Sequence, residues 1–243
     1  MNEWTAIVTG AGKRIGAAIA EALAADGWTV VGHVHDKCDD VPAGTHKVVA
    51  DLAQHGAGDS IFEALKGLPP PRLLVNNAAR FAWDGPGEWS AQEFDAHVAV
   101  NLRAPLALIE RFAELQSPEA DSLAVNILDS KVAAPNPDYL SYTLSKQALA
   151  AATDLMARAY ASCGLRVNGI APALMLRSPG QSEANFRAMH ARNPLRRGVE
   201  ATDVIGALRF LVDAPTMTGQ VLVLDSGQRF MGLERDVQFL EEE

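Results

Sequence analysis

The feature that most constrains the fold is a regular alternation of short apolar runs with longer segments rich in Ala and Leu. Seven runs have the length and β-branched content of buried strands, and the segments between them have helical spacing. Strands that alternate with helices need crossover connections, and continuously apolar strands must be covered on both faces. The sequence therefore predicts an α/β fold with a doubly wound, parallel, seven-stranded sheet. The predicted strands are Thr5 to Val8, Thr29 to Val34, Lys47 to Ala50, Arg72 to Val75, Leu123 to Leu128, Arg166 to Ile170 and Val221 to Leu224.

The length of 243 residues suits one large α/β domain. We therefore expect residues 1–243 to form a single Rossmann-like domain. Two connections depart from a regular crossover. Asp36 to His46 is too short for a full helix and its loops, and Ala171 to Arg192 has no clear period, which favours a mobile lid over a cleft.

Composition and charge narrow the possible partners. The formal net charge of −9 disfavours nucleic acid, which needs a basic footprint. No apolar run is long enough to cross a bilayer, and Met1 to Trp4 lacks the features of a secretory signal. Cys38 and Cys163 stand alone, which indicates free thiols and no metal site. We expect a cytoplasmic protein that acts on a small molecule.

A glycine-rich turn follows the first strand directly and precedes a predicted helix from Ala17 to Ala25. It reads Thr9-Gly10-Ala11-Gly12-Lys13-Arg14-Ile15-Gly16. Glycines let the backbone approach a pyrophosphate, and the helix N-terminus offers free N–H groups and the positive end of its dipole. A purely structural turn is the alternative. The placement nevertheless favours a phosphate-binding loop.

Further motifs stand at the ends of later strands. Asn76-Asn77-Ala78-Ala79 closes the fourth strand, Asn101 lies in the following helix, and Tyr142-Thr143-Leu144-Ser145-Lys146 opens the helix after the fifth. Together with the glycine turn, with Asp51 and with Asp225-Ser226-Gly227, they resemble the short-chain dehydrogenase/reductase family over nearly the whole chain.

The Tyr-Lys pair carries the expected chemistry. Positions i and i+4 share a helix face, so the Lys146 ammonium can lie near the Tyr142 hydroxyl and lower its pKa toward a range where it acts as a general acid. The resemblance also implies that Lys146 holds the nicotinamide ribose and that Asn101 takes part in a proton relay. It implies further cofactor contacts from Gly10, Ile15, Gly16, His35, Asp51, Leu52, Asn77, Ala78, Pro172 and Met175.

Two departures from the common family pattern are informative. Arg14 replaces a usual glycine, and Asp129 stands 13 residues before the tyrosine, where most members have serine. With Phe81, these residues resemble the pteridine reductases and the related dihydromonapterin reductases. In those enzymes the arginine and the aspartate flank the pterin and an aromatic ring stacks on it, so the resemblance implies substrate contacts from Arg14, Phe81, Asp129 and Tyr142.

The carboxylate of Asp129 supports this interpretation on chemical grounds. Beside a developing alkoxide it would be repulsive by about 4 kcal/mol at roughly 4 Å. Beside a protonated C=N group or a 2-aminopterin edge it attracts charge and accepts hydrogen bonds. Two alternatives stay open: Ser130 could replace the usual serine, and Phe81 could be an ordinary aromatic of the pocket wall.

Cofactor choice favours NADPH over NAD. Lys13 and Arg14 place two cations near the phosphates, and the second strand ends at Val34 without the acid that binds a ribose diol. Asp36 is the exception, because its carboxylate could favour NAD if it turned toward the ribose.

The leading hypothesis is therefore an NADPH-dependent reductase of a pterin-like or other C=N heterocycle. In it Tyr142 is the proton donor, Lys146 tunes it, Asp129 orients the substrate and Phe81 is a stacking platform. A carbonyl reductase of the 3-oxoacyl or sugar type is the rival enzyme, and an NADPH-binding sensor or scaffold is the alternative of another class. The small residues between Tyr139 and Ser162 favour close packing of this helix against a neighbouring subunit. The family resemblance implies that the assembly is a homotetramer.

Overall fold

The predicted parallel sheet is present with all seven strands. The computed structural model describes residues 3–177 and 181–240. Within them the strand order is β3-β2-β1-β4-β5-β6-β7, and every neighbouring pair is parallel. The fold class is thereby confirmed. The strands are β1 Thr5–Thr9, β2 Thr29–Val34, β3 Thr45–Val49, β4 Pro71–Asn76, β5 Ser122–Ile127, β6 Leu165–Pro172 and β7 Val221–Leu224.

Helices cover both faces of the sheet. Ile19 and Leu208 pack on one face of the sheet, and Ile109 and Phe112 pack on the other. These side chains are almost fully removed from solvent, which makes burial the main contribution to stability. The helices are α1 Arg14–Ala25, α2 Gly58–Glu63, α3 Ala91–Val98, α4 Ala104–Ala113, α5 Leu140–Tyr160, α6 Glu183–His190 and α7 Ala201–Val212.

Three local predictions need adjustment. Helix α1 begins at Arg14, earlier than expected from the apolar spacing. Asn101 lies in a π-helical turn, Ala99–Arg103, between α3 and α4 rather than in a regular helix. The expected irregular segment from Ala171 to Arg192 begins inside β6 and contains α6, whose N-terminus is capped by Ser182.

Positions 178–180 of the expected lid fall outside the described residues. The connection from β2 to β3 contains no helix, as its length predicted. The topology changes direction between β1 and β4, because β2 and β3 continue to one edge and β5 to β7 to the other. Ligands of doubly wound folds bind beyond the carboxyl ends of the strands at this point.

Candidate active site

A large cavity of about 710 Å³ lies beyond the carboxyl ends of β1, β4 and β5. All the predicted site residues line it except Asn101. They come from the carboxyl ends of strands and from the loops and helix starts that follow six of the strands, so the sheet itself brings them together. They are Gly10, Lys13, Arg14, Ile15, Gly16, His35, Asp51, Leu52, Asn77, Ala78, Phe81, Asp129, Tyr142, Lys146, Pro172 and Met175.

The glycine-rich turn from Thr9 to Gly16, called the glycine loop below, is held by hydrogen bonds to His33 and to Asn77. Gly10 has φ +67°, a left-handed conformation that favours glycine. Its N–H donates to His33 Nδ1 at 3.2 Å, and the other ring nitrogen of His33 lies 2.9 Å from Ala50 O. The Asn77 amide donates to Thr9 O at 2.9 Å. His33 was not identified from the sequence, since a buried histidine in a strand gives no motif.

The N-terminus of α1 opens into the cavity. Lys13 is its extended N-cap residue, and within the described chain no side chain caps this end of the helix. The first-turn N–H groups therefore stay available to an anion. Arg14, with φ +53°, and Lys13 are both exposed at this end.

The cavity continues to the ends of β2 and β3. His35 Nδ1 lies 3.7 Å from Asp51 Oδ1, and Asp51 accepts the Ala53 N–H at 2.9 Å. That hydrogen bond lowers the pKa of Asp51. Asp36 does not line the cavity and instead accepts the Cys38 N–H at 2.9 Å. Asp36, the residue that could have favoured NAD, therefore stabilises a local turn instead.

Helix α5 presents the Tyr-Lys pair to the cavity floor. Lys146 Nζ donates to Ile127 O at 2.6 Å and lies 5.8 Å from the centre of the Tyr142 ring. The Tyr142 hydroxyl donates to Asp129 Oδ2 at 3.2 Å. Tyr142 and Lys146 are therefore close together, as their helical spacing predicted, and Asp129 lies beside Tyr142, as the family resemblance implied.

The protonation of this cluster differs from the expectation. Burial, and next the negative charge of Asp129, raise the pKa of Tyr142 well above 10 rather than lowering it. Burial lowers the pKa of Lys146 to about 8, against the attraction of Asp129. The predicted lowering of the Tyr142 pKa is therefore wrong for the ligand-free chain, because desolvation and the Asp129 carboxylate outweigh the opposing charge of Arg14.

Asp129 is anchored at the end of β5. Its Oδ1 accepts the Lys131 N–H at 2.9 Å, which caps the short 3-10 turn Ser130–Val132. Burial raises the pKa of Asp129, although the Lys131 N–H bond opposes the shift. The carboxyl group consequently retains a proton to higher pH than an exposed aspartate does. Ser130 also lines the cavity.

Phe81 is part of an aromatic stack. Tyr139 lies parallel to it with ring centres 4.4 Å apart and planes inclined by 17°. Tyr142 meets Phe81 edge-on at 4.8 Å. Tyr139 was missed from the sequence, because its left-handed φ of +57° at the start of α5 is not encoded by a recognisable turn motif.

Asn101 supports the site from outside the cavity. Its side chain binds the backbone of Arg80 in both directions, at 2.7 and 2.9 Å, and donates to Ser145 Oγ at 3.0 Å. These contacts join the loop after β4 to α5. Asn101 thereby fixes Phe81 and Tyr142 relative to each other.

Other kinds of site are not evident in the described ranges. Within residues 3–177 and 181–240, no group of three or more His, Cys, Asp or Glu side chains is placed to hold a metal ion. None of the helices found there combines the length and apolar character needed to span a membrane.

Fold and site together define a class: a doubly wound dinucleotide-binding protein with a Tyr-Lys pair at the topological switch point. A family model described as enoyl-(acyl carrier protein) reductase matches residues 10–229. The L-xylulose reductase of Bos taurus is 32% identical over 235 residues, covering 91% of this chain and 95% of that protein. Pteridine reductase 1 of Leishmania tarentolae is 29% identical over 280 residues, with 91% and 95% covered.

A solved structure is also similar. It is the alternative dihydrofolate reductase 1 (FolM) of Brucella suis in complex with NADP, with a TM-score of 0.88 and 36% identity, covering 95% of this chain and 97% of that one. The chain belongs to the short-chain dehydrogenase/reductase family, and it is an oxidoreductase.

Proposed function

We propose that this protein is an NADPH-dependent reductase of a pterin-like or other C=N-containing heterocycle. The observation that carries the proposal is the 3.2 Å hydrogen bond between Tyr142 and Asp129 in the cavity. A carboxyl group thus occupies the position where a ketone reductase needs a hydroxyl donor.

The cavity residues fit a nicotinamide dinucleotide with a 2′-phosphate. The open end of α1 suits the pyrophosphate, and Lys13, Arg14 and His35 supply positive or protonatable groups at the ribose end. Lys13 lies 3.8 Å from Asp39, a contact between an exposed lysine and a partly buried aspartate that a phosphate can replace. Asp36 points its carboxylate into a turn, which removes the objection that this residue raised against NADP.

The bound dinucleotide would supply a hydride to the carbon of the C=N bond. Tyr142 supplies the proton to the nitrogen. Asp129 carries a proton at higher pH than usual and can restore the Tyr142 hydroxyl across their hydrogen bond. Lys146 Nζ reaches the cavity floor, where it can bind ribose hydroxyls.

Phe81 is the platform for a planar substrate, and Tyr139 supports its ring. Because Tyr139 covers one face of Phe81, the cavity-lining ring is held as a rigid aromatic wall. Arg14 lies at the same cavity and can donate hydrogen bonds to the heterocycle. This arrangement fits two of the similar proteins by name, the Leishmania pteridine reductase and the Brucella alternative dihydrofolate reductase.

A carbonyl reductase is the second candidate. The L-xylulose reductase relative and the presence of Ser130 in the cavity wall favour it. The carboxyl group of Asp129 beside Tyr142 argues against it, because once Asp129 has passed its proton to Tyr142 the resulting carboxylate would repel a developing alkoxide. A sensor without turnover is disfavoured by the intact Tyr142, Lys146 and Asp129 cluster.

Substrate profiling tests the proposal. Purified protein should reduce dihydropteridines with a kcat/KM at least about 10²-fold above that for 3-oxoacyl thioesters and ketoses, since one well-placed polar group commonly contributes that much discrimination. NADPH should be preferred to NADH in the same assay. Ketones reduced faster than every C=N compound would contradict the proposal.

A further inference from the structure

The C-terminal segment, defined here as residues 233–239, forms part of the substrate cavity of its own chain. Leu233, Asp236 and Val237 line the cavity together with Asp129 and Tyr142. This segment is more than 90 residues distant in sequence from the loop after β5 that it contacts. Its position therefore depends on specific tertiary contacts.

Lys131 makes the central contact. It is only 8% exposed, and its Nζ lies 2.8 Å from Asp236 Oδ2, 2.8 Å from Asn136 Oδ1 and 2.9 Å from Asp138 O. All three ammonium protons are thus used. The backbone N–H of the same residue donates to Asp129. Lys131 consequently connects the C-terminal segment to the carboxyl group in the site.

A second set of contacts strengthens the connection. Arg235 donates to Asp138 through Nε at 2.8 Å and Nη2 at 2.9 Å, and the Asp236 N–H donates to Asp138 Oδ2 at 2.8 Å. The Tyr139 hydroxyl donates to Gln238 Oε1. The aromatic wall and the C-terminal segment are therefore held as one unit.

We propose that Lys131 and Asp236 are positioning residues for the reduction proposed above: their ion pair holds the C-terminal segment against the substrate and balances the charge around Asp129. This proposal rests on the proposed function only in naming the reaction that the two residues support. The contacts from which it is argued are those of the ligand-free chain.

The charges that act on Asp129 come from three parts of the fold. Lys131 belongs to its own loop, Asp236 to the C-terminal segment and Lys146 to α5. Arg14, the first residue of α1, acts on Tyr142, which donates its hydroxyl proton to Asp129. Lys131 and Lys146 lower the pKa of Asp129, whereas Asp236 raises it. Removing one member of the ion pair should therefore shift the pKa of Asp129 in a direction that depends on which charge is removed.

The test compares Lys131→Met, Asp236→Asn and the double variant. The ¹³C signal of the Asp129 carboxyl, assigned by its loss in Asp129→Asn, is titrated in the ligand-free protein. We expect the midpoint to move up in Lys131→Met and down in Asp236→Asn, each by about one pH unit, and to return toward wild type in the double variant. Because no substrate is present, this result does not depend on the proposed activity.

Two further measurements address position. Amide exchange in residues 233–239 should become at least about tenfold faster in either single variant, because a buried ion has lost its partner. In either single variant, the KM for the substrate that the enzyme reduces should rise by a larger factor than kcat falls. Arg209→Met is the control, since it also removes an ion pair, a more exposed one with Asp26, whose residues do not line the cavity.

Either of two results would overturn the proposal. One is a midpoint that moves in the same direction in both single variants, or does not move. The other is unchanged exchange of residues 233–239 relative to Arg209→Met. If instead the titration and exchange behave as expected while no C=N compound is reduced, the proposed function fails and the positioning role stands for whichever substrate is turned over.

Discussion

Tyr142→Phe should lower kcat by about 10²-fold or more while leaving cofactor affinity nearly unchanged. The substitution removes the hydroxyl that donates to Asp129 at 3.2 Å and keeps the ring that packs edge-on against Phe81 at 4.8 Å. General acid catalysis by a positioned side chain is commonly worth 10²–10⁴ in rate, so the loss of this hydroxyl should cost at least the lower end of that range. Single-turnover kinetics with NADPH, together with cofactor titration by fluorescence, measures both quantities.

Tyr139→Phe is the matched control for this experiment. Tyr139 also loses only a hydroxyl, and its hydroxyl binds Gln238 rather than Asp129. It should therefore affect KM more than kcat. If Tyr142→Phe kept more than about a tenth of the wild-type rate, Tyr142 would not be the acid.

Gly16→Ala should remove most cofactor binding and destabilise the fold. A Cβ atom at this position would stand 2.0 Å from Gly10 O and 2.5 Å from Asn77 Nδ2, far inside van der Waals contact. The glycine loop and α1 would have to separate, and the Asn77 bond to Thr9 O would be strained. Overpacking of this kind commonly costs about 1–3 kcal/mol, which exceeds the gain in helix propensity of at most about 1 kcal/mol.

Urea unfolding and calorimetric titration of NADPH measure these two effects, with Gly206→Ala as the control. Gly206 is exposed within α7, and a Cβ there would meet nothing within 4 Å. The control should gain about 0.5–1 kcal/mol of stability and bind cofactor normally. Gly16→Ala with wild-type affinity for NADPH would show that the loop does not approach the dinucleotide.

The sheet and most of the cavity could be predicted because they follow from local patterns. Strands buried on both faces have apolar runs that are visible in any window, and motifs at strand ends meet at one edge of a parallel sheet. Thus Gly10, Asn77, Asp129 and Tyr142 were identified separately and lie together at the cavity. The homotetramer stays a prediction, supported by the exposed Leu144 and Leu155 on α5.

The parts that could not be predicted depend on contacts distant in sequence or on burial. Tyr139 pairs with Phe81 across more than 50 positions, and Lys131 pairs with Asp236 across more than 100. The direction of the Tyr142 pKa shift depends on desolvation in the assembled cavity. The helical spacing of Tyr142 and Lys146 gives no information about that desolvation. The π-helical turn at Asn101 inserts an extra residue into a helical period that otherwise continues from α3 into α4.

The most direct test of the central claim is the selectivity of Asp129→Ser, measured as kcat/KM for a dihydropteridine and for a simple ketone with NADPH. The variant should lose C=N reduction by about 10²-fold and keep or gain ketone reduction, because a hydroxyl can donate to a developing alkoxide and a carboxylate cannot. The two activities should therefore move in opposite directions. A uniform loss of both would make Asp129 a structural anchor of the loop after β5. No change in either activity would identify Ser130 as the residue that contacts the substrate. Either of these two results would contradict the proposed function.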